Sequence, residues 1–160
     1  LLVQRENIHI DKAILGSSDM DQSSKLSAKI KCKLFIPMIY KMLHTGELPK
    51  FMQKRYEEKK SEYMDFMLSM FGIGTNDMSF VKKESIYNQF YSDLVTPVDD
   101  GIEIDNTKIY VFYAKKMGEK YLERYHKHFK NPIIIEYDLQ HEELLAMYKE
   151  KWVDEIKKMI

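Results

Sequence analysis

Two hydrophobic rhythms alternate along this chain. Three short apolar runs, Lys12-Ala13-Ile14-Leu15-Gly16, Lys108-Ile109-Tyr110-Val111-Phe112-Tyr113 and Ile133-Ile134-Ile135-Glu136-Tyr137, have strand length and lie beside turn formers such as Gly16-Ser17-Ser18-Asp19 and Asn131-Pro132. Elsewhere the spacing is helical. Leu26, Ile30, Leu34, Met38 and Met42 stand four apart and predict a helix over 24–43 with a kink at Pro37, ended by Thr45-Gly46-Glu47-Leu48-Pro49. Residues 50–71 predict a second helix, charged from Lys54 to Lys60 and apolar at Met64, Met67, Leu68 and Phe71. Ser79 can cap a third, carrying Phe80, Tyr87, Tyr91 and Leu94. Gly118 to Phe129 predicts another, and Leu145, Tyr148, Trp152 and Ile156 mark a closing helix over 142–160.

The predicted order is a helix end, a strand, three helices, then strand, helix, strand, helix. Alternation of strands and helices with continuous apolar strands implies an α/β fold whose parallel sheet, of about three strands, is covered on both faces. The helices between 24 and 92 interrupt that alternation. The sheet-bearing part is placed at 1–22 and 79–160, and the inserted helical part at 23–78. Leu1 to Glu6 reads as the last turns of a helix that stops at Asn7, without an initiator Met or a signal-peptide pattern. A fragment that starts inside an element is the expectation.

Composition narrows the function classes. With 160 residues and 44% apolar content, one core of domain size is expected. The 25 Lys and Arg balance the 25 Asp and Glu, so the surplus of positive charge that nucleic-acid binding uses is missing. The uncharged greasy stretch Leu34–Tyr40 contains a lysine-free run far short of the ~20 residues a membrane span needs. One cysteine, Cys32, rules out an intrachain disulfide, and no Cys/His spacing matches a structural zinc site. A reducing, cytoplasmic compartment is the simplest home, and neither a metal nor another cofactor is called for. His126 and His128, two apart on a helix, are expected to be exposed imidazoles on different faces. Eleven Met and eleven Tyr suit adaptable apolar contacts, in an ordinary core or around a greasy ligand.

The order of elements, together with Gln140-His141-Glu142-Glu143-Leu144 directly after the last strand, resembles the C-terminal half of an α/β-hydrolase of the esterase/lipase-like kind. The resemblance covers nearly the whole chain but about half of that fold. It implies that the three strands correspond to the family's sixth, seventh and eighth, that 23 to about 78 forms a helical lid, and that His141 is the base that activates a serine. Neither G-x-S-x-G nor a glycine-rich oxyanion loop occurs in the sequence. The implied protein is therefore the C-terminal portion of a serine hydrolase acting on an ester, thioester or related carbonyl, inactive by itself.

Imidazole suits the role given to His141, because its ordinary pKa lies near neutrality. The carboxylate that would orient it is less well marked. Where the family usually carries the acid, after the seventh strand, this chain reads Ala114-Lys115-Lys116-Met117-Gly118-Glu119. A minority place it after the sixth strand, where Asp19 and Asp21 stand, and Asp19 is the first choice. Glu119, Asp21 or no acid at all are the alternatives, and an Asp beside Ser also fits a turn or a helix cap. Leu34, Phe35, Met38, Met42, Met67, Met70 and Phe71 either line an acyl pocket or are simply buried. A rival from another class is a non-catalytic interaction module, its helices forming a groove on a small sheet scaffold. In either case the open edge of the strand at 13–16 is expected to recruit a second chain.

Overall fold

The computed structural model describes residues 7–18, 20, 22–74, 78–104 and 106–160. Three strands, β1 (Lys12–Leu15), β2 (Lys108–Ala114) and β3 (Ile133–Tyr137), form one parallel sheet in the order β1-β2-β3. Ile14 pairs with Tyr110, and Phe112 with Ile135. Residues that alternate along a strand point to opposite faces, so β2 feeds two separate cores. Ile109, Val111 and Tyr113 pack with Ile102, Tyr125 and Phe129, whereas Phe112 packs with Leu144 and Met159. Tyr125 lies on the helix α5 (Glu119–His128), and Leu144 and Met159 on α6 (Glu143–Met147) and α7 (Lys149–Met159). The sheet is thus covered on both faces, as its continuous apolar strands require. The closing helix expected over 142–160 is divided at Tyr148, where the backbone leaves helical geometry at φ −126° and ψ 52°.

The chain divides into two compact units, and the second comprises Gln22–Thr96. It holds α1 (Lys25–Thr45), α2 (Lys50–Glu58), α3 (Glu62–Ser69) and α4 (Lys83–Val95). Ser24 caps α1 by accepting the Ser27 N–H at 3.2 Å, and Gly46, at φ 64°, ends it in the left-handed conformation that side chains disfavour. The second predicted helix is two, because Ser61 starts a fresh cap by accepting the Met64 N–H at 3.2 Å. Ser79 does not cap α4, which begins at Lys83 without a side-chain cap. Because Ile86 of α4 packs on Cys32, Ile36 and Leu43 of α1, the helical unit extends past residue 78 to Thr96.

The four-spaced stripe of the sequence pattern is buried at its end, at Met42, but not in the first half of α1. Leu26, Ile30 and Leu34 are 72%, 54% and 66% exposed, whereas Ala28, Cys32 and Ile36 are buried. Small side chains at a helix contact allow the partner axis to approach, and Ala28 and Cys32 supply them. Cys32 is a buried free thiol.

Candidate functional site

Because the strands are parallel, the loops that follow them open at one end of the sheet, the end at which α/β folds place ligands. β1 gives way there to Gly16-Ser17-Ser18, and β3 to Asp138-Leu139-Gln140-His141-Glu142 before α6. Lys116, just after β2, donates its N–H to the Leu139 carbonyl at 3.2 Å, so all three following segments are linked.

His141 is fixed by the β1 loop. Its Nδ1 lies 2.6 Å from the Ser17 carbonyl oxygen and 3.4 Å from Ser17 Oγ. A carbonyl only accepts, so the proton of a neutral imidazole sits on Nδ1 and the basic lone pair on Nε2. The next residue holds the same loop a second time: the Glu142 N–H donates to Ser17 Oγ at 2.6 Å, and that hydroxyl lies 3.5 Å from Glu142 Oε1. Ser17 is buried, at 5% exposure, with both of its oxygens engaged by the β3 loop.

This arrangement requires unusual backbone. Glu142 has φ 57° and ψ 6°, a left-handed conformation uncommon for a residue with a side chain and often found at functional sites. Its carboxylate comes so near Gly16 that a Cβ there would stand 2.7 Å from Oε1. A side chain at Gly16 would oblige the end of Glu142 to turn aside. From the opposite face of the sheet, the buried Tyr125 of α5 donates its hydroxyl to the Ser18 carbonyl at 2.6 Å. Glu143 reaches back to accept the Gln140 N–H at 2.7 Å, closing the turn that carries His141.

A small cavity of about 20 Å³ lies beside this cluster, lined in part by Ser17, Glu142, Phe112, Tyr137 and Trp152. It has about the room one water molecule occupies. Burial pushes the Tyr137 hydroxyl up to about 12, reinforced by the negative charge of Glu155. Tyr113 is also raised, first by burial and then by Glu136 and Glu119. Both phenols keep their protons at neutral pH.

The structure places His141 where the element order puts it, at the carboxyl end of the sheet. Asp19 and Asp21 lie outside the described residues. Glu119 stands exposed in the first turn of α5, and Met117 closes the 3-10 turn before it. Ser17 and Glu142 are the residues that pattern reading missed. The one available signal was a glycine followed by a hydroxyl directly after a strand, which any turn also shows. His128 departs from expectation: it is buried, and its Nδ1 lies 3.0 Å from the Asp99 carbonyl and 3.1 Å from Asp100 Oδ1. The cause is the pairing of Ile102 beside Phe129, with backbone bonds at Gly101 and Ile102, which draws the end of α5 against residues 99–102. His126 is exposed.

Among the described residues no group of three His, Cys, Asp or Glu side chains is placed to hold a metal ion, and no helix is long and apolar enough to cross a membrane. Comparison with protein-family models, curated proteins and solved structures finds no match to this chain.

Proposed function

We propose that this chain is the C-terminal portion of a serine hydrolase of the α/β-hydrolase kind, acting on an ester, thioester or related carbonyl substrate. His141 is its general base. The observation that carries the reading is the 2.6 Å contact from His141 Nδ1 to the Ser17 carbonyl at the carboxyl end of a parallel sheet. A base must keep one nitrogen unprotonated and aimed, and fixing the proton on the other does that. Nε2 would take the proton of an attacking serine and return it to the leaving group. Ser17 and Glu142 position the imidazole, the Ser17 carbonyl accepting the Nδ1 proton in the place that a carboxylate such as Asp19 would take in a triad. The nucleophile is not Ser17, whose Oγ is buried and accepts the Glu142 N–H. The serine and the oxyanion donors come from polypeptide beyond these 160 residues, so the chain alone has no covalent step to accelerate.

The test is active-site labelling. A polypeptide that joins this sequence to an upstream G-x-S-x-G half should react with a fluorophosphonate probe, and His141→Ala should slow that reaction by about 10²–10⁴-fold, the usual contribution of a general base. Labelling indifferent to His141 overturns the reading, as does ester turnover by residues 1–160 alone.

The sheet also suggests a partner. Among the described residues β1 is bonded to β2 on one side only, and its other edge is available to a further strand. A second chain, complementary or identical, would complete it. Stable monomers in light scattering at high concentration would count against this. The rival interaction-module reading is favoured by one observation, the exposed Leu26, Ile30 and Leu34 on α1. An upstream sequence without a nucleophile motif would give that reading precedence.

A further inference from the structure

The contact between α1 and α4 leaves an open groove of about 430 Å³, within the size range of small-molecule sites. Its floor is apolar. Pro37 is its exposed part, and Cys32 and Ile36 underlie it, both almost fully buried in the core of the helical unit. Its rim is positive: Lys29 and Lys33 extend from α1 and Lys83 from the start of α4, against the single carboxylate of Glu84. Among the described residues none of the three ammonium groups has an ion-pair partner. Lys31, on the same helix, differs, since its ammonium donates to Ser23 Oγ at 2.8 Å. Tyr87 contributes a further wall, with its ring stacked on Tyr91 at a centroid separation of 5.6 Å and 7° between planes.

The combination selects one ligand chemistry. A hydrated inorganic anion would be drawn to the lysines but would gain nothing from the floor, and a neutral hydrocarbon would leave the rim without a partner. A molecule with one negative head and an aliphatic body satisfies both, because its head can face ammonium groups while its body displaces water from Pro37 and the Tyr87 ring, above Ile36. We propose that the α1–α4 groove binds the anion of an aliphatic carboxylic acid, head towards Lys29, Lys33 and Lys83 and tail along Pro37 and Tyr87, over Ile36. The site lies wholly within the helical unit and does not depend on the reading of His141.

The test uses the 160-residue chain and decanoate, titrated below its micelle-forming concentration and followed by calorimetry and by the methyl resonances of isoleucine. Saturable binding is expected, with the Ile36 methyl signals shifting, and added salt should weaken it. The exposed triple variant Lys29→Gln, Lys33→Gln, Lys83→Gln should bind about tenfold more weakly, the combined worth of three exposed ion pairs. Decyltrimethylammonium, which has the same tail and the opposite charge, and inorganic phosphate, which has charge and no tail, should each bind far less. Unchanged circular dichroism in the triple variant would show that the loss is one of binding. The proposal is overturned by non-saturable binding, by equal affinity for the cationic amphiphile or for phosphate, by a triple variant as tight as the parent, or by shifts that leave Ile36 unmoved.

Discussion

The two compact units solve the same burial problem differently. In the sheet-bearing unit, alternate residues of β2 enter two cores, and Val111 and Phe112, neighbours in sequence, are both buried on opposite faces. In the helical unit, α1 carries apolar residues around much of its circumference, and one set is buried while another faces outward. A strand between two helical layers has no spare face, so its apolar residues have one arrangement. A helix that is greasy on several sides has more than one, and the choice is made by which side lets its neighbour approach most closely.

The largest expected effect sharpens that contrast. Phe112→Ala should destabilise the protein by about 3–5 kcal/mol, the usual cost of removing a buried aromatic ring. Leu34→Gln, on the outward face of α1, should change stability by no more than about 0.5 kcal/mol. Urea denaturation of the two variants checks both, and equal losses would mean that the outward face of α1 is covered. Next comes the loop junction at the end of the sheet. Gly16→Ala should cost about 0.5–1.5 kcal/mol, the cost of pushing one side chain off its rotamer, because its methyl group meets only the far end of Glu142, which can turn aside. Glu142→Gly removes both that obstruction and the left-handed strain. The double variant should therefore recover most of the loss, a coupling that a thermodynamic cycle measures directly.

The smallest effect is one of pH. Tyr137 holds its proton more tightly in the folded chain than the ordinary value near 10 allows, up to about 12. Its contribution to stability is thus fully present below pH 10 and is lost as pH rises through about 12. In a spectrophotometric titration of the tyrosines, Tyr137→Phe should remove a late-ionising component.

Much of the sheet was legible in the sequence because its signals are local. Runs of Ile, Val, Phe and Tyr at 108–113 and 133–137 satisfy strand geometry and full burial together, and the structure extends or trims them by a single residue at most. The position of His141 followed from the same order of elements. The helical unit was harder. Nothing in the spacing of Leu26, Ile30 and Leu34 distinguishes them from Ala28, Cys32 and Ile36, since both sets repeat every four residues and only the approach of α4 separates them. The break between α2 and α3 needed the side-chain cap of Ser61 to be recognised inside a charged run. Ser17, Glu142 and His128 went unread for a related reason. Each matters through a partner distant in sequence, and no periodicity records a bond between positions 124 or 125 residues apart.

Tyr125 ties two layers of the molecule together. Its ring sits edge-on against Tyr113 in the core at a centroid distance of 6.3 Å, and its hydroxyl carries the Ser18 carbonyl, one residue from the oxygen that fixes His141. The segment after β1 is consequently not an independent hinge. Thermal loosening of the α5 side of the core and misalignment of the imidazole should occur as one event, so warming would release His141 and unfold the core in step.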